Sequence, residues 1–276
     1  MKHLAILALL LAGCATPTPP RLAPPLRLTW EKNMLGIHGD FPGRRVDILY
    51  LEAYCRSGAR DVAWNKTVIP HQAEKLSDDG KVITLRDVVQ GNVVVHHRIT
   101  AGDGVVDFDV EAVNQGPDFV DAQWVQPCIR LGAFTGGNQQ TYVEKSFVFI
   151  DGKQTFLPKA RRTEEAIYKG GQLYIPAGIK REDCNPRPHS PDVPSNDLIG
   201  CVSADNQWMF ATAWTPTQEL FQGVIVCLHN DFRLGGLKPG EKKRARGKIY
   251  IMENDVDLLL ARYARDFDSA RGEKTP

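Results

Sequence analysis

Strict alternation of apolar and polar residues limits what this chain can fold into more than any other feature. In VVDFDVEAVN, residues 105–114, Val106, Phe108 and Val110 alternate with acidic residues. Because successive side chains of a strand point to opposite faces of a sheet, this pattern predicts a strand with one buried and one wet face. Further segments that read as strands include RVDILYLEAYC, KVITLRDVV, NVVVHHRITAG, LFQGVIVCLH and KRARGKIYIM.

Turn signals such as SDDG and AGDG separate these segments, and together they predict about a dozen short strands. No helical pattern lies between consecutive strands, which excludes parallel crossover units for most of the chain. The sequence therefore predicts an all-β fold, a large antiparallel β-sandwich. Only DVDLLLARYARDF, residues 255–267, has a helical period, with Asn254 or Asp255 as the N-cap.

The first residues, MKHLAILALLLAGCATPTPP, have the order of an export signal: charged, then apolar, then small. Leu11-Ala12-Gly13-Cys14 is similar to the bacterial lipobox, which predicts a signal peptide over residues 1–13 and a lipid on Cys14. An ordinary cleaved signal with a chance cysteine is the alternative. Residues 14–27 are proline-rich and predict an extended tether, followed by a single domain over residues 28–276.

These segments predict an exported protein, lipid-anchored to the outer membrane or cell surface, with its soluble domain in the periplasm or outside. Lys and Arg together number 34 and Asp and Glu 33, so the charge balance does not favour a nucleic-acid partner. The N-terminal apolar run, residues 4–11, is too short to span a bilayer as a helix, and no second long apolar segment follows it. We expect a monomer without a cofactor.

Five cysteines follow Cys14, and an odd number leaves at least one thiol free. Cys227 lies in the apolar run GVIVCL and is expected in the core. Cys184 and Cys201 flank the rigid segment NPRPHSPDVPSN, residues 185–196, and are a candidate disulfide. This proline loop is predicted to cross between sheets and to border a binding cleft, where it would present Asn185, Arg187 and His189.

Three segments in chain order carry a resemblance to a known fold: VVVHHRITAGDGVVDFDVEAVNQGPD, DAQWVQPCIR and GLKPGEKKRARGKIYIM. They resemble the strand–turn–strand unit, the following concave-face strand and the closing hairpin of the galactose mutarotase-like β-supersandwich. The resemblance implies that fold, which is also found in many sugar-active enzymes. The family's catalytic histidine pair and late glutamate are not matched, so its epimerase activity does not carry over. WNKTVIPH, QPCIR, NPRPHSPDVPSN and CLHNDFRLGG also resemble an uncharacterised family of bacterial lipoproteins.

A sugar-binding sheet face needs aromatic rings for stacking, polar groups for hydroxyls, and carboxylates or histidine for chemistry. His229 and Asp231 alternate along one strand and form a candidate acid–base pair, with Glu219 as a third catalytic candidate. The candidates for substrate binding, which recur near strand ends, are Trp124, Gln126, Arg130, Asn185, Arg187, His189 and Arg233. The alternative is that these are solvated residues paired across a sheet.

Glu52, in LYLEAYC, either faces water, pairs with Arg56 or is a tuned catalytic group. His71, His96, His97, His189 and His229 lack any metal-binding motif, so no metal site is predicted. Two functions remain open: a carbohydrate-processing domain that uses a His and carboxylate pair, and a non-catalytic glycan-binding or cell-envelope lipoprotein. A scaffold for protein partners is a third.

Overall fold

The computed structural model describes residues 23–56, 71–158 and 160–271, and it confirms the predicted antiparallel sandwich. Two sheets face each other, and all pairings between their strands are antiparallel. The strands are β1 Arg27–Glu31, β2 Met34–His38, β3 Arg45–Cys55, β4 Ala73–Leu76, β5 Val82–Val89, β6 Val93–Ala101, β7 Val105–Asn114, β8 Trp124–Arg130, β9 Ser146–Ile150, β10 Lys153–Phe156, β11 Gln172–Tyr174, β12 Pro194–Val202, β13 Trp208–Thr215, β14 Thr217–Gln222, β15 Cys227–Arg233 and β16 Lys242–Glu253.

The first sheet has seven strands in the order β1-β2-β3-β8-β15-β14-β11, and the second has nine in the order β10-β9-β12-β13-β16-β7-β6-β5-β4. In β7, buried and less buried residues alternate as the sequence predicts. The apolar inner faces of the two sheets form the main core, in which the Trp214 ring stacks on Phe232 with centroids 4.2 Å apart.

The predicted C-terminal helix is α4, Val256–Arg271, counted after three short helices. Asp255 caps it, because its Oδ1 accepts a hydrogen bond from the Leu258 amide at 2.9 Å. Leu259, Tyr263 and Phe267, spaced four residues apart, pack on the outer face of the nine-stranded sheet. The helix therefore lies outside the sandwich and leaves the seven-stranded sheet free of it.

Three short helices were not predicted: α1 Gly132–Thr135, α2 Gln139–Lys145 and α3 Glu164–Lys169. Each is at most two turns long, too short for a helical period to stand out in the sequence. Side-chain caps support two of them: Asn138 accepts from the Thr141 amide and Thr163 from the Ala166 amide. In the chain, α1 and α2 lie between β8 and β9, and α3 lies between β10 and β11.

The folded chain begins earlier than residue 28. Leu26 is fully buried in the main core, and Pro25 forms a bridge with Asp103. The last residues of the predicted tether therefore belong to the sandwich, because Leu26 has an apolar site to fill. Cys14 and the predicted signal peptide lie outside the described residues. In the part of the chain that the structure describes, no helix is long and apolar enough to cross a membrane.

The candidate Cys184–Cys201 disulfide is not formed, and that prediction is wrong. Both cysteines are free and buried in different places: Cys201 in the main core, and Cys184 beside Leu173 and Phe221 on the outer side of the seven-stranded sheet. The sequence brought them together only as the flanks of one loop. Cys227 is buried, as predicted.

Candidate active site

Polar side chains gather on the outer face of the seven-stranded sheet, on the three neighbouring strands β8, β15 and β14. Strand alternation places Gln126 and Cys128 of β8 on this face, with His229 and Asp231 of β15. The pairing of the strands sets His229 opposite Cys128, and Asp231 opposite Glu219 of β14. All are buried, although the face lies outside the core between the sheets.

The proline loop covers this face. Its backbone joins the sheet edge, since Leu173 of β11 receives an amide bond from Ser190 and donates one to Pro188, both 2.8 Å long. The Arg181 guanidinium donates to the carbonyls of Asn185 and Arg187, each at 2.7 Å. These charge-assisted bonds fix the turn that presents Asn185 and Arg187 to the sheet.

A cavity of about 140 Å³ lies between the proline loop and the sheet. Its walls include Glu52, Gln126, Cys128, Asn185, Arg187 and His229. The Phe221 ring is also part of the wall and meets the His229 ring edge-on, with centroids 5.2 Å apart. The cavity thus combines amide, guanidinium, carboxylate and imidazole groups with one aromatic surface.

His229 lies between two carboxylates. Its Nδ1 atom is 3.6 Å from Asp231 Oδ1, and its Nε2 atom is 3.8 Å from Glu52 Oε2. The Gln126 amide donates a 2.9 Å hydrogen bond to the other Asp231 oxygen, which fixes that carboxylate. Asp231 is fully buried, whereas the Glu52 side chain is 41% exposed. The imidazole therefore connects an enclosed carboxylate to one that reaches solvent.

Burial controls the charge of the two enclosed carboxyls. Desolvation, followed by repulsion from Asp231, raises the pKa of Glu219 to about 8. Desolvation also raises the pKa of Asp231, against the hydrogen bond and charge of His229. Burial disfavours the imidazolium of His229, but Cys128 and Asp231 outweigh it and raise the His229 pKa above its ordinary value. All three groups therefore have pKa values above their ordinary values and bind protons more tightly than they would in water.

The structure brings six of the ten candidate residues together. Gln126, Asn185, Arg187 and His229 line the cavity. Asp231 contacts His229 behind the wall. Glu219 is fully buried and accepts a 3.0 Å bond from the Asn185 amide, so it anchors the proline loop.

The other four candidates lie outside the cavity wall. Trp124 is buried with Ala53 and Cys55, so its ring has no open face for a sugar. Arg130 is on the same strand face but beyond Cys128, and Arg233 donates to Gln218 at 2.6 Å. His189 is exposed, and its Nδ1 atom accepts a 3.1 Å bond from Arg181.

Cys128 and Phe221 are cavity residues that the sequence analysis did not name, and Glu52, which it left open as water-facing, paired with Arg56 or catalytic, also lines the cavity. A signal existed for two of them: Glu52 interrupts an apolar strand, and Cys128 stands midway between Gln126 and Arg130 on one face. The structure also brings Cys128 Sγ, Cys227 Sγ and a His229 ring nitrogen within 4.8 Å of one another. Because these residues come from two strands far apart in the chain, the sequence contains no local metal-binding motif that would predict the group.

A second polar cluster lies in the core between the sheets. Asp87 of β5 pairs with the rings of His71 and His97, and Tyr54 donates to it at 2.8 Å. Tyr50 is bonded to the other nitrogen of His97 at 2.9 Å. Burial would raise the pKa of Asp87, but the two histidine hydrogen bonds hold it well below its ordinary value. This cluster joins β3 to β5 and β6.

The outer face of the nine-stranded sheet has a larger depression of about 480 Å³, lined by residues including His96, Arg98, Asp109, Glu111 and Arg244. Its charges stand opposite one another across the strands, and Arg244 and Glu111 form an ion pair at 2.8 Å. Opposite charges paired in this way are ordinary on a solvated sheet face. The smaller cavity, where acid and base groups converge, is the better candidate site.

Comparison with solved structures finds similar folds. A galactose mutarotase related enzyme of Lactobacillus acidophilus is 8% identical, covers 84% of this chain and 98% of its own, and has a TM-score of 0.41. A galactose mutarotase-like protein of Lactobacillus casei is 9% identical, covers 82% of this chain and 99% of its own, and has a TM-score of 0.41. A galactose mutarotase-like protein of Clostridium acetobutylicum is 8% identical, covers 82% of this chain and 94% of its own, and has a TM-score of 0.42.

These alignments span 82% to 84% of this chain, at TM-scores of 0.41 to 0.42. Identities this low do not assign an activity. No protein-family model matches the chain, and no curated protein matches it either. The function must therefore be argued from the cavity itself.

Proposed function

We propose that this chain is an exported lipoprotein whose sandwich domain binds a sugar, or the end of a glycan, beneath the proline loop and acts on it by proton transfer. One observation carries the proposal. His229 and Glu52 approach each other to 3.8 Å on the wall of the cavity, with Asp231 behind the imidazole. An acid and a base on one wall can move a proton to or from a bound hydroxyl.

The composition of the wall supports a carbohydrate. Gln126, Asn185 and Arg187 offer groups that can bind hydroxyls, and the Phe221 ring offers an apolar surface for a sugar face. The size supports a small ligand. Pockets for drug-sized molecules measure roughly 300–1,000 Å³, so a cavity of about 140 Å³ fits a single ring or a chain end.

In this proposal His229 Nε2 exchanges a proton with the bound sugar. Asp231, held by Gln126, orients the ring through Nδ1 and stabilises its charged form. Glu52 is half-exposed, so it can return the proton to solvent. Glu219 does not touch the ligand and acts by positioning the loop through Asn185.

The anchoring part of the proposal rests on the lipobox at Cys14. Two acyl chains on a mature N-terminal cysteine hold a protein stably at a membrane. Mass spectrometry of the mature protein from a bacterial envelope tests it. A diacylated N-terminal peptide beginning at Cys14 is expected, and an unmodified N-terminus at another residue would contradict it.

A sugar panel tests the cavity. Ligand-observed NMR with mono- and oligosaccharides should detect binding to the full chain, and H229Q and E52Q should retain binding but convert no sugar. His96 is exposed on the outer face of the other sheet, so H96Q is the matched control and should behave like the parent. Binding without conversion by the parent would assign the cavity to recognition alone.

A further inference from the structure

We propose that Cys128, Cys227 and His229 bind one thiophilic metal ion of the Zn²⁺ class, with an open position facing the cavity. The three side chains offer two sulfurs and one ring nitrogen, all within 4.8 Å of one another. Thiolate and imidazole ligands select Zn²⁺ and similar soft ions over Mg²⁺ or Ca²⁺. This goes beyond sugar binding, because neither the sugar nor its chemistry requires a metal.

The spacing fits tetrahedral coordination. With Zn–S near 2.3 Å and Zn–N near 2.0 Å, a tetrahedral ion holds its sulfur and nitrogen ligands roughly 3.5 Å apart. In the structure Cys227 Sγ lies 3.5 Å from His229 Nε2. This sulfur and this nitrogen therefore have their coordinating separation before any ion binds, and Cys128 Sγ lies within 4.8 Å of both.

The sheet itself preorganises the ligands. Cys227 and His229 are two residues apart on β15, so their side chains share a face, and Cys128 is directly opposite His229 on β8. All three are buried. Ligands on paired strands cannot move apart without breaking the ladder, which is how a site is held on rigid elements.

The outer partners of His229 also match a metal site. If Nε2 binds the ion, Nδ1 faces Asp231 at 3.6 Å, and Asp231 is held by Gln126. A carboxylate behind the ligating histidine is the usual arrangement around bound zinc, where it orients the ring. The unpartnered, buried Nδ1 of His229 and Oδ1 of Asp231 would then face each other with a defined role.

The fourth position is at the cavity. Glu52 Oε2 is 3.8 Å from His229 Nε2, and its half-exposed side chain can swing towards the ion or away from it. Three protein ligands with a fourth open position are typical of zinc that binds an exchangeable group. The cavity supplies the path by which the ion enters.

Metal binding and proton transfer by His229 exclude each other, because both need the lone pair on Nε2. The inference thus fails separately from the proposed function: metal binding is measured directly, without any sugar. A metal-loaded protein is expected to lose conversion of a sugar through His229. Binding releases thiol protons, so it weakens as the pH falls.

Cobalt titration tests the proposal. Reduced, metal-free full-length chain is titrated anaerobically with Co²⁺, and a thiolate-to-cobalt charge-transfer band is expected to saturate at one equivalent and to vanish when Zn²⁺ is added. C128A and C227A should lose the band, with at least a 100-fold loss of affinity. D231N should weaken binding roughly 10- to 100-fold without removing it.

Cys201 is the matched control, because it is a buried thiol in the main core, away from this cluster. C201A should keep the band and the affinity. Circular dichroism shows whether the variants fold, and the wild-type titration decides even if they do not. A reduced wild-type chain without a charge-transfer band, or a band that persists in folded C128A and C227A, would overturn the proposal.

Discussion

The backbone amide of Asn185 donates a 3.0 Å hydrogen bond to Glu219 Oε2, and this bond ties the proline loop to the sheet beneath the cavity. Glu219 is fully buried, with Asp231, His229 and Cys184 around it. The carboxyl therefore anchors the loop, and burial and the neighbouring Asp231 disfavour its charged form although the Asn185 hydrogen bond favours it.

Glu219→Gln should reduce the pH dependence of stability. Because burial and Asp231 raise the folded pKa of Glu219 to about 8, the folded state binds the proton more tightly than the unfolded state. Its stabilising contribution is present below the ordinary carboxyl pKa and is lost as the pH rises through about 8. Urea unfolding from pH 5 to 8.5 should show stability falling in the parent, by a few kcal/mol, and falling less in the variant.

The glutamine keeps an oxygen for the Asn185 amide, so the loop contact survives in this variant. Glu144→Gln, at an exposed position on α2, is the control and should leave the parent's pH profile unchanged. Asp231 also contributes in the same direction, so some slope should remain. Parallel profiles for the parent and Glu219→Gln would show that Glu219 is charged in the folded protein.

Asp87→Asn should destabilise the sandwich at neutral pH by about 3 kcal/mol, because it leaves the rings of His71 and His97 without their buried counter-charge. Since the folded pKa of Asp87 is depressed, its stabilising contribution is present above the ordinary carboxyl pKa and is lost as the pH falls. Because this loss falls below the ordinary carboxyl pKa, chemical unfolding at pH 4 and pH 2 should show a smaller acid loss in the variant than in the parent.

Asp109→Asn is the comparison, because Asp109 is exposed on β7 in the same sheet. It should change the free energy of unfolding by no more than about 0.5 kcal/mol. Equal effects of the two substitutions would mean that the Asp87 cluster is solvated and does not join the sheets.

Substitution of Arg187 should weaken ligand binding, whereas substitution of His189 should leave it almost unchanged. Arg187 lines the cavity, and Arg187→Ala should weaken sugar binding roughly tenfold, the size of one lost charged hydrogen bond. His189 is exposed and bonded to Arg181, so His189→Ala should change affinity less than twofold. Titration calorimetry of both variants checks this, and a larger loss from His189→Ala would move the binding site to the outside of the loop.

Gly223→Ala should disturb the cavity from below. A Cβ atom at this position would lie 2.2 Å from Cys227 Sγ, so the cysteine side chain must shift. Overpacking of this kind costs about 1–3 kcal/mol, which thermal unfolding would detect. Gly132→Ala is the control, because its Cβ would meet nothing closer than 3.7 Å; equal stabilities of the two variants would show that Cys227 has room to move.

The sequence predicted the sandwich because alternation is a local signal. In β7 the period-two pattern separates buried from less buried residues, and the two-residue spacing of His229 and Asp231 on β15 places both on one face. The helix α4 was predicted because its apolar period is long enough to read. In α4 the Asp255 N-cap and the helical spacing of the apolar residues predict the same helix, and those apolar residues are the ones that pack on the sheet.

Which strands are neighbours cannot be read from such signals. Cys128 and His229 are opposite each other because β8 pairs with β15, about a hundred residues later in the chain. Asp87 meets His97 across the consecutive strands β5 and β6, but Tyr54 reaches Asp87 from β3 in the other sheet. Trp124 has the right residue type and spacing for a sugar platform, but it is fully buried beside Cys55, and only the pairing of β3 with β8 reveals that.

Sugar processing at His229 and Glu52 under the proline loop can be measured by NMR of a pool of mono- and oligosaccharides incubated with the metal-free full-length chain. We expect the parent and H96Q to convert at least one sugar, and H229Q/E52Q to convert none. Conversion at the same rate by H229Q/E52Q, or no conversion by the parent of a sugar that it binds, would contradict it.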